Sequence, residues 1–86
     1  MDKKLVGKVS HFFGKISVAV IDLVGELKSG DRISIEGANT GIVEQIVGSM
    51  QIEHQEVQRA GAGQSIGLKV DGRVREGDSV YKLAGV

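Results

Sequence analysis

The stretch Leu27-Lys28-Ser29-Gly30-Asp31-Arg32-Ile33-Ser34-Ile35 constrains this chain more than any other, because a Gly-Asp corner runs straight into strict alternation. Gly30 can take the positive φ that closes a tight turn, and Asp31 can bring its carboxylate to nearby backbone N–H groups. Ile33 and Ile35 then face one side of a strand, with Arg32 and Ser34 on the other. Val74-Arg75-Glu76-Gly77-Asp78-Ser79-Val80 repeats the arrangement, and Gly63-Gln64-Ser65-Ile66 is a weaker copy with an amide in place of the acid. Gly30, Asp31, Gly63, Gly77 and Asp78 are therefore read as structural turn residues from which three strands start. Such a chain folds as a short sheet that changes direction often.

At 86 residues the chain is expected to be one domain spanning 1–86, too short to divide into two units that each bury a core. A domain of this size is stable by about 4 to 13 kcal/mol. Eleven basic residues balance eleven acidic ones, so no net field draws it to phosphate backbones or anionic lipid. The absence of Cys excludes a disulfide framework, thiolate metal sites and a Cys nucleophile. Met1-Asp2-Lys3-Lys4 leads directly into alternation without an apolar leader, and no apolar run is long enough to span a bilayer, so a cytoplasmic protein with no membrane partner is expected.

Taken in order, Leu5 to Phe13 reads as a strand with Val9 and Phe13 inward. Gly14-Lys15 links it to a central strand from Ile16 to Val24, apolar on both faces. Arg32 to Glu36 follows the organising turn. Ile42 to Ile52 fits either a helix face or a strand; flanking Gly41, the bend at Gly48-Ser49 and dense β-branching favour the strand. Val57 is placed in a short edge strand, Ile66, Leu68 and Val70 on one face of the next, and Ser79 to Leu83 in the last. The expected fold is all-β, a small closed or nearly closed Greek-key barrel of six to seven antiparallel strands, since closure hides the edges and makes one core from every inward face.

His11 and His54 are the only imidazoles, and neither lies in a metal-ligand spacing; they are read as a partly buried strand residue and a turn residue. Asp31 and Asp78 could suggest a carboxylate pair, but equivalent turn positions explain both. No metal, cofactor or catalytic residue is expected. Basic residues gather near the start, at Lys3, Lys4 and Lys8, and around Asp71-Gly72, at Lys69, Arg73 and Arg75. With Lys15 and the ring of Phe12, these are the candidate contacts for RNA or a partner, because local charge sets such contacts. Val24, Met50 or Tyr81 facing outward would mark a protein interface instead.

In order, Val6-Gly7-Lys8-Val9, Val18-Ala19-Val20, Leu27 to Ile33, Val47-Gly48-Ser49-Met50-Gln51, Ala60 to Leu68 and Arg75 to Val80 resemble the second domain of translational GTPases such as elongation factor Tu. The resemblance implies a stand-alone translation-protein barrel, not an enzyme, that contacts ribosomal RNA, tRNA or a translation partner. Without a G-x-x-x-x-G-K-S/T loop, no GTP binding of its own is expected. The chain is also similar to accessory barrels appended to larger enzymes, including collagenase-like peptidases, which implies the alternative of a protein-interaction domain positioning a separate enzyme. A stand-alone hydrolase ranks third, because no nucleophile and base are suggested together.

Overall fold

The computed structural model describes the backbone of residues 2–84 and the side chains of residues 3–83. These residues form ten strands and no helix: β1 (Asp2–Phe13), β2 (Val18–Leu23), β3 (Leu27–Lys28), β4 (Arg32–Gly37), β5 (Gly41–Ile46), β6 (Met50–Ile52), β7 (Gln55–Val57), β8 (Arg59–Ala60), β9 (Ser65–Lys69) and β10 (Ser79–Ala84). Eight make one antiparallel sheet in the order β5-β4-β10-β1-β2-β9-β6-β7, while β3 and β8 pair as a separate ribbon. The first and last strands lie side by side in the middle, with Asp2 opposite Ala84.

One turn design recurs three times. In Lys28–Asp31 the Asp31 N–H donates to Lys28 O at 3.1 Å, the Asp31 carboxylate accepts from Lys28 N at 2.9 Å, and Gly30 has φ 94°. Arg75–Asp78 matches it at 3.1 Å and 2.9 Å with Gly77 at φ 92°. Gly61–Gln64 does the same at 3.2 Å and 2.7 Å with Gly63 at φ 87°, the Gln64 amide oxygen standing in for the carboxylate. Positive φ at the third residue is what a type II turn requires, and the reaching side chain occupies an N–H that would otherwise have no partner.

Strand β1 carries two bulges, and they reset which residues face inward. Its register shifts between Leu5 and Gly7 and again between Val9 and His11. At the first, Val6 O accepts from Val24 N at 2.7 Å; at the second, the Ser10 hydroxyl donates to Val20 O at 3.2 Å. Each extra residue moves the alternation by one. Val6 and Val9 are buried and Phe12 packs on the core, three residues apart instead of two. Phe13, expected to face inward, is 46% exposed for this reason.

The segment from Ile42 to Ile52 is not helical, nor is it one strand. Val47-Gly48-Ser49 breaks it, so that β5 pairs with β4 while β6 pairs with β9 and β7. The organising turn holds this break: Gly30 N donates to Val47 O at 2.8 Å, Val47 N to Asp31 O at 2.8 Å, and the Ser29 hydroxyl to Gly48 O at 2.9 Å.

A single apolar cluster fills the inside, built from Ile21, Leu27, Ile33, Ile35, Met50, Ile66, Leu68 and smaller neighbours. Met50, considered for the outer surface, is fully buried, whereas Val24 is exposed and Tyr81 half-buried. The strand ladder does not close on itself. β5 and β7 end the order, so the Greek-key closure expected from the sequence is not found among the described residues. The gap beside β5 is crossed by one side chain, buried Gln45, which donates to Lys69 O at 2.9 Å and accepts from Asp71 N at 2.8 Å.

Candidate interaction surfaces

The basic residues singled out in the sequence do not converge. Lys3 binds Glu36 at 2.8 Å and 3.0 Å and lies 4.6 Å from the centre of the Tyr81 ring. Lys4 pairs with Lys82 across β1–β10, Lys8 stands opposite Ser79 and Asp22, and Lys15 is exposed in the turn after β1. Arg73 and Arg75 flank a shallow depression of about 330 Å³ with Phe12 at its wall, while Lys69 borders another with Val18 and Ser49. Phe12 is half-buried; the outward ring of the adjacent pair is Phe13.

The polar candidates are engaged in local structure. Asp31 and Asp78 each lock their own turn, and Asp78 also accepts from the Thr40 hydroxyl. His11 is exposed, not partly buried: its Nδ1 lies 3.0 Å from a Glu76 carboxylate oxygen and its ring meets Phe13 edge-on at 4.5 Å. No group of three metal-ligating side chains occurs among the described residues.

The hydrogen bond from Lys3 holds the Glu36 carboxyl below its ordinary range, assisted by the Ser34 hydroxyl, and the same bond raises the Lys3 ammonium above its own. A lowered carboxyl stabilises the fold above its unfolded value and loses this as pH falls through the folded one; a raised ammonium stabilises below its unfolded value and loses this as pH rises through the folded one. Glu36→Gln should therefore lower the melting temperature slightly at neutral pH. The difference from the parent chain should vanish in acid and again in strong alkali, which melting curves across pH will show.

A more cohesive surface lies on the outer face of β2. Phe13, Ile16, Val18 and Val20 line a groove of about 340 Å³ with Glu53 and His54 at its rim. Ile16 is 61% exposed. Both hairpins that border the groove contain non-glycine residues in the left-handed region: Ser17 at φ 56°, and Glu53 and His54 at φ 51° and 67°. With Ile52 paired to Gln55, the last two form a two-residue type I′ turn, where Asn-Gly is the usual choice. Each such residue costs about 1 kcal/mol. Sequence reasoning placed a turn at Glu53-His54 but missed its strain, because neither residue announces positive φ.

No protein-family model matches the chain. The fold is shared with a solved structure: it superimposes with a TM-score of 0.89 on the C-terminal domain of a Geobacillus thermoleovorans protein assigned to the U32 peptidases, covering 94% of this chain and 93% of that one at 17% identity. Among curated proteins the chain is similar to an uncharacterized protease of Methanocaldococcus jannaschii, 50% identical over 78 residues and 91% of this chain, and to a collagenase of Porphyromonas gingivalis, 38% identical over 82 residues and 94% of this chain. It spans about a fifth of these relatives, 19% of the first and 23% of the second.

These findings correct the resemblance to the second domain of translational GTPases, and with it the reading as a translation-factor, ribosome- or RNA-binding module. The sequence relatives are a protease and collagenases, and the matching fold is a U32 peptidase domain. The physical reason is visible in the turns. The K-x-G-D and A-x-A-G-x-x-x-G marks are demands of positive φ and turn locking in a small curled sheet, so they report geometry and carry no partner chemistry.

Proposed function

We propose that this chain is a non-catalytic accessory domain of collagenase-like peptidases that docks through the Phe13–Ile16 face and positions a peptidase unit. The observation that carries this is the match itself: nearly all of this chain corresponds to about a fifth of named collagenases, leaving most of each relative for the chemistry. The exposed apolar groove bordered by strained hairpins supports it, since strain of this kind is retained where a surface must keep its shape. A cytoplasmic setting belongs to the same reading; no helix among the described residues is long and apolar enough to cross a membrane. We also read the curled sheet as a barrel whose last seam is sealed by Gln45 instead of by a ladder.

The test is a segment exchange in the Porphyromonas gingivalis collagenase. Deleting its matching segment should abolish collagen cleavage, and inserting this chain should restore it. Phe13→Ser with Ile16→Ser in the insert should reduce the restored rate about tenfold, the effect of about 1.4 kcal/mol of lost docking. Both residues are exposed, so the melting temperature of the isolated chain should hold. Full cleavage by the deleted enzyme, or collagen cleavage by this chain alone, overturns the proposal.

A further inference from the structure

We propose that the depression between Arg73 and Arg75 binds the C-terminal end of a polypeptide, holding its carboxylate with the two guanidinium groups and its last apolar side chain against Phe12. This goes beyond the docking role and stands without it. The depression, of about 330 Å³, is lined by Phe12, Gly14, Arg73, Val74 and Arg75, so both of its charged residues are basic. No carboxylate lines it: Glu76 lies 3.0 Å from His11 Nδ1, and Asp78 is committed to Arg75 N and the Thr40 hydroxyl. Elsewhere Lys3, Arg59 and Lys82 each meet a carboxylate, at 2.8, 3.6 and 3.9 Å. Among the described residues, neither Arg73 nor Arg75 has such a partner.

Both sides of the depression are fixed in place. Val74, 1% exposed, anchors the segment that carries the two exposed arginines, and the Arg75 backbone is tied to Asp78 by bonds of 2.9 and 3.1 Å. Opposite them, Phe12 packs on the core and keeps part of its ring uncovered. Gly14 is what leaves that ring reachable. It is the second residue of the turn closed by Ile16 N donating to Phe13 O at 3.3 Å, and its φ is not positive, so the turn itself does not demand glycine. A Cβ on Gly14 would stand 3.6 Å from Phe12 Cε2, in ordinary contact, and a longer side chain would lie over the ring.

Charge and shape together choose the occupant. Two unpaired guanidinium groups call for a carboxylate or a phosphate, which they can grip through paired N–H donors. The ring in the same depression calls for an apolar group beside that anion. Inorganic phosphate has none, and in an internal Asp or Glu the carboxylate is the tip of the side chain. A C-terminal Phe carries its carboxylate and its ring on one Cα, and the depression has room for one large residue. A peptidase makes such an end at every cut, so the site is compatible with the accessory role without requiring it.

The probe is the acetylated tripeptide Ala-Ala-Phe with a free carboxylate, titrated into the isotopically labelled 86-residue chain. Binding with a Kd of about 1 mM is expected, with amide shifts concentrated on Phe12, Gly14 and residues 73–75. Amidation of the peptide's C-terminus should weaken binding at least about tenfold, and replacing its Phe by Ala about fivefold. Arg73→Gln and Arg75→Gln should each weaken it about fivefold. Gly14→Leu should weaken it at least about tenfold while the melting temperature holds, which separates covering of the ring from damage to the fold. Equal binding of the amidated peptide, equal shifts from inorganic phosphate, shifts confined to Phe13 and Ile16, or no shift up to about 20 mM peptide overturns the proposal. The collagenase exchange reads a different surface, so either proposal can fail alone.

Discussion

Gly37→Ala should destabilise the chain by about 2–3 kcal/mol, a large share of the stability of a domain this small. A Cβ on Gly37 would overlap Asp78 Oδ1 and lie 2.7 Å from Asp78 Cγ. The carboxylate has little room to yield: Asp78 is 6% exposed, and its Oδ2 accepts from Arg75 N at 2.9 Å and from the Thr40 hydroxyl. Rotation that relieves the overlap therefore gives up bonds to a buried charge. The diagnostic is a double-mutant cycle by urea unfolding. Asp78→Ser shortens the side chain, so the Gly37→Ala, Asp78→Ser pair should be less destabilised than the sum of the singles by about 1 kcal/mol or more. Strict additivity would mean that the two residues do not share this space.

Gly7→Ala should cost about 3 kcal/mol for a different reason. Its new Cβ would stand 2.7 Å from the Asp22 carbonyl oxygen and 2.9 Å from Ile21 Cγ2. The first is backbone in the neighbouring central strand, and Gly7 is paired to Leu23 there, so relief requires parting β1 from β2. Gly48→Ala is the control. A Cβ at Gly48 would meet nothing within 4 Å and its φ is not positive, so the change should leave the chain unaffected or stabilise it by about 0.5 kcal/mol. Melting curves of the two variants should therefore move in opposite directions, or Gly7→Ala alone should move.

The turns and the main strands were legible because each rests on local chemistry. Gly30-Asp31 and Gly77-Asp78 declare positive φ and a reaching carboxylate within four residues, and the alternation after each is undisturbed. The β1 bulges were not legible. Val6, Val9 and Phe12 face inward only because Val24 and Val20, far along the chain, bond to the extra residues, and no local pattern encodes a distant partner. Ladder closure failed for a similar reason: Gln45 crosses the seam, and in sequence it is one polar residue among several. The exposed apolar patches were the least visible. Ile16 and Ile42 read as ordinary strand residues, and only the placement of their neighbours leaves them uncovered.

Because β1 and β10 run beside each other, the Asp2 and Ala84 backbones are about 5 Å apart at the same margin of the sheet. A host polypeptide entering at one and departing at the other passes through a single doorway, and nothing inside must stretch to admit it. Sequence joined at either place would leave from that one margin, and the groove on β2 would keep its shape.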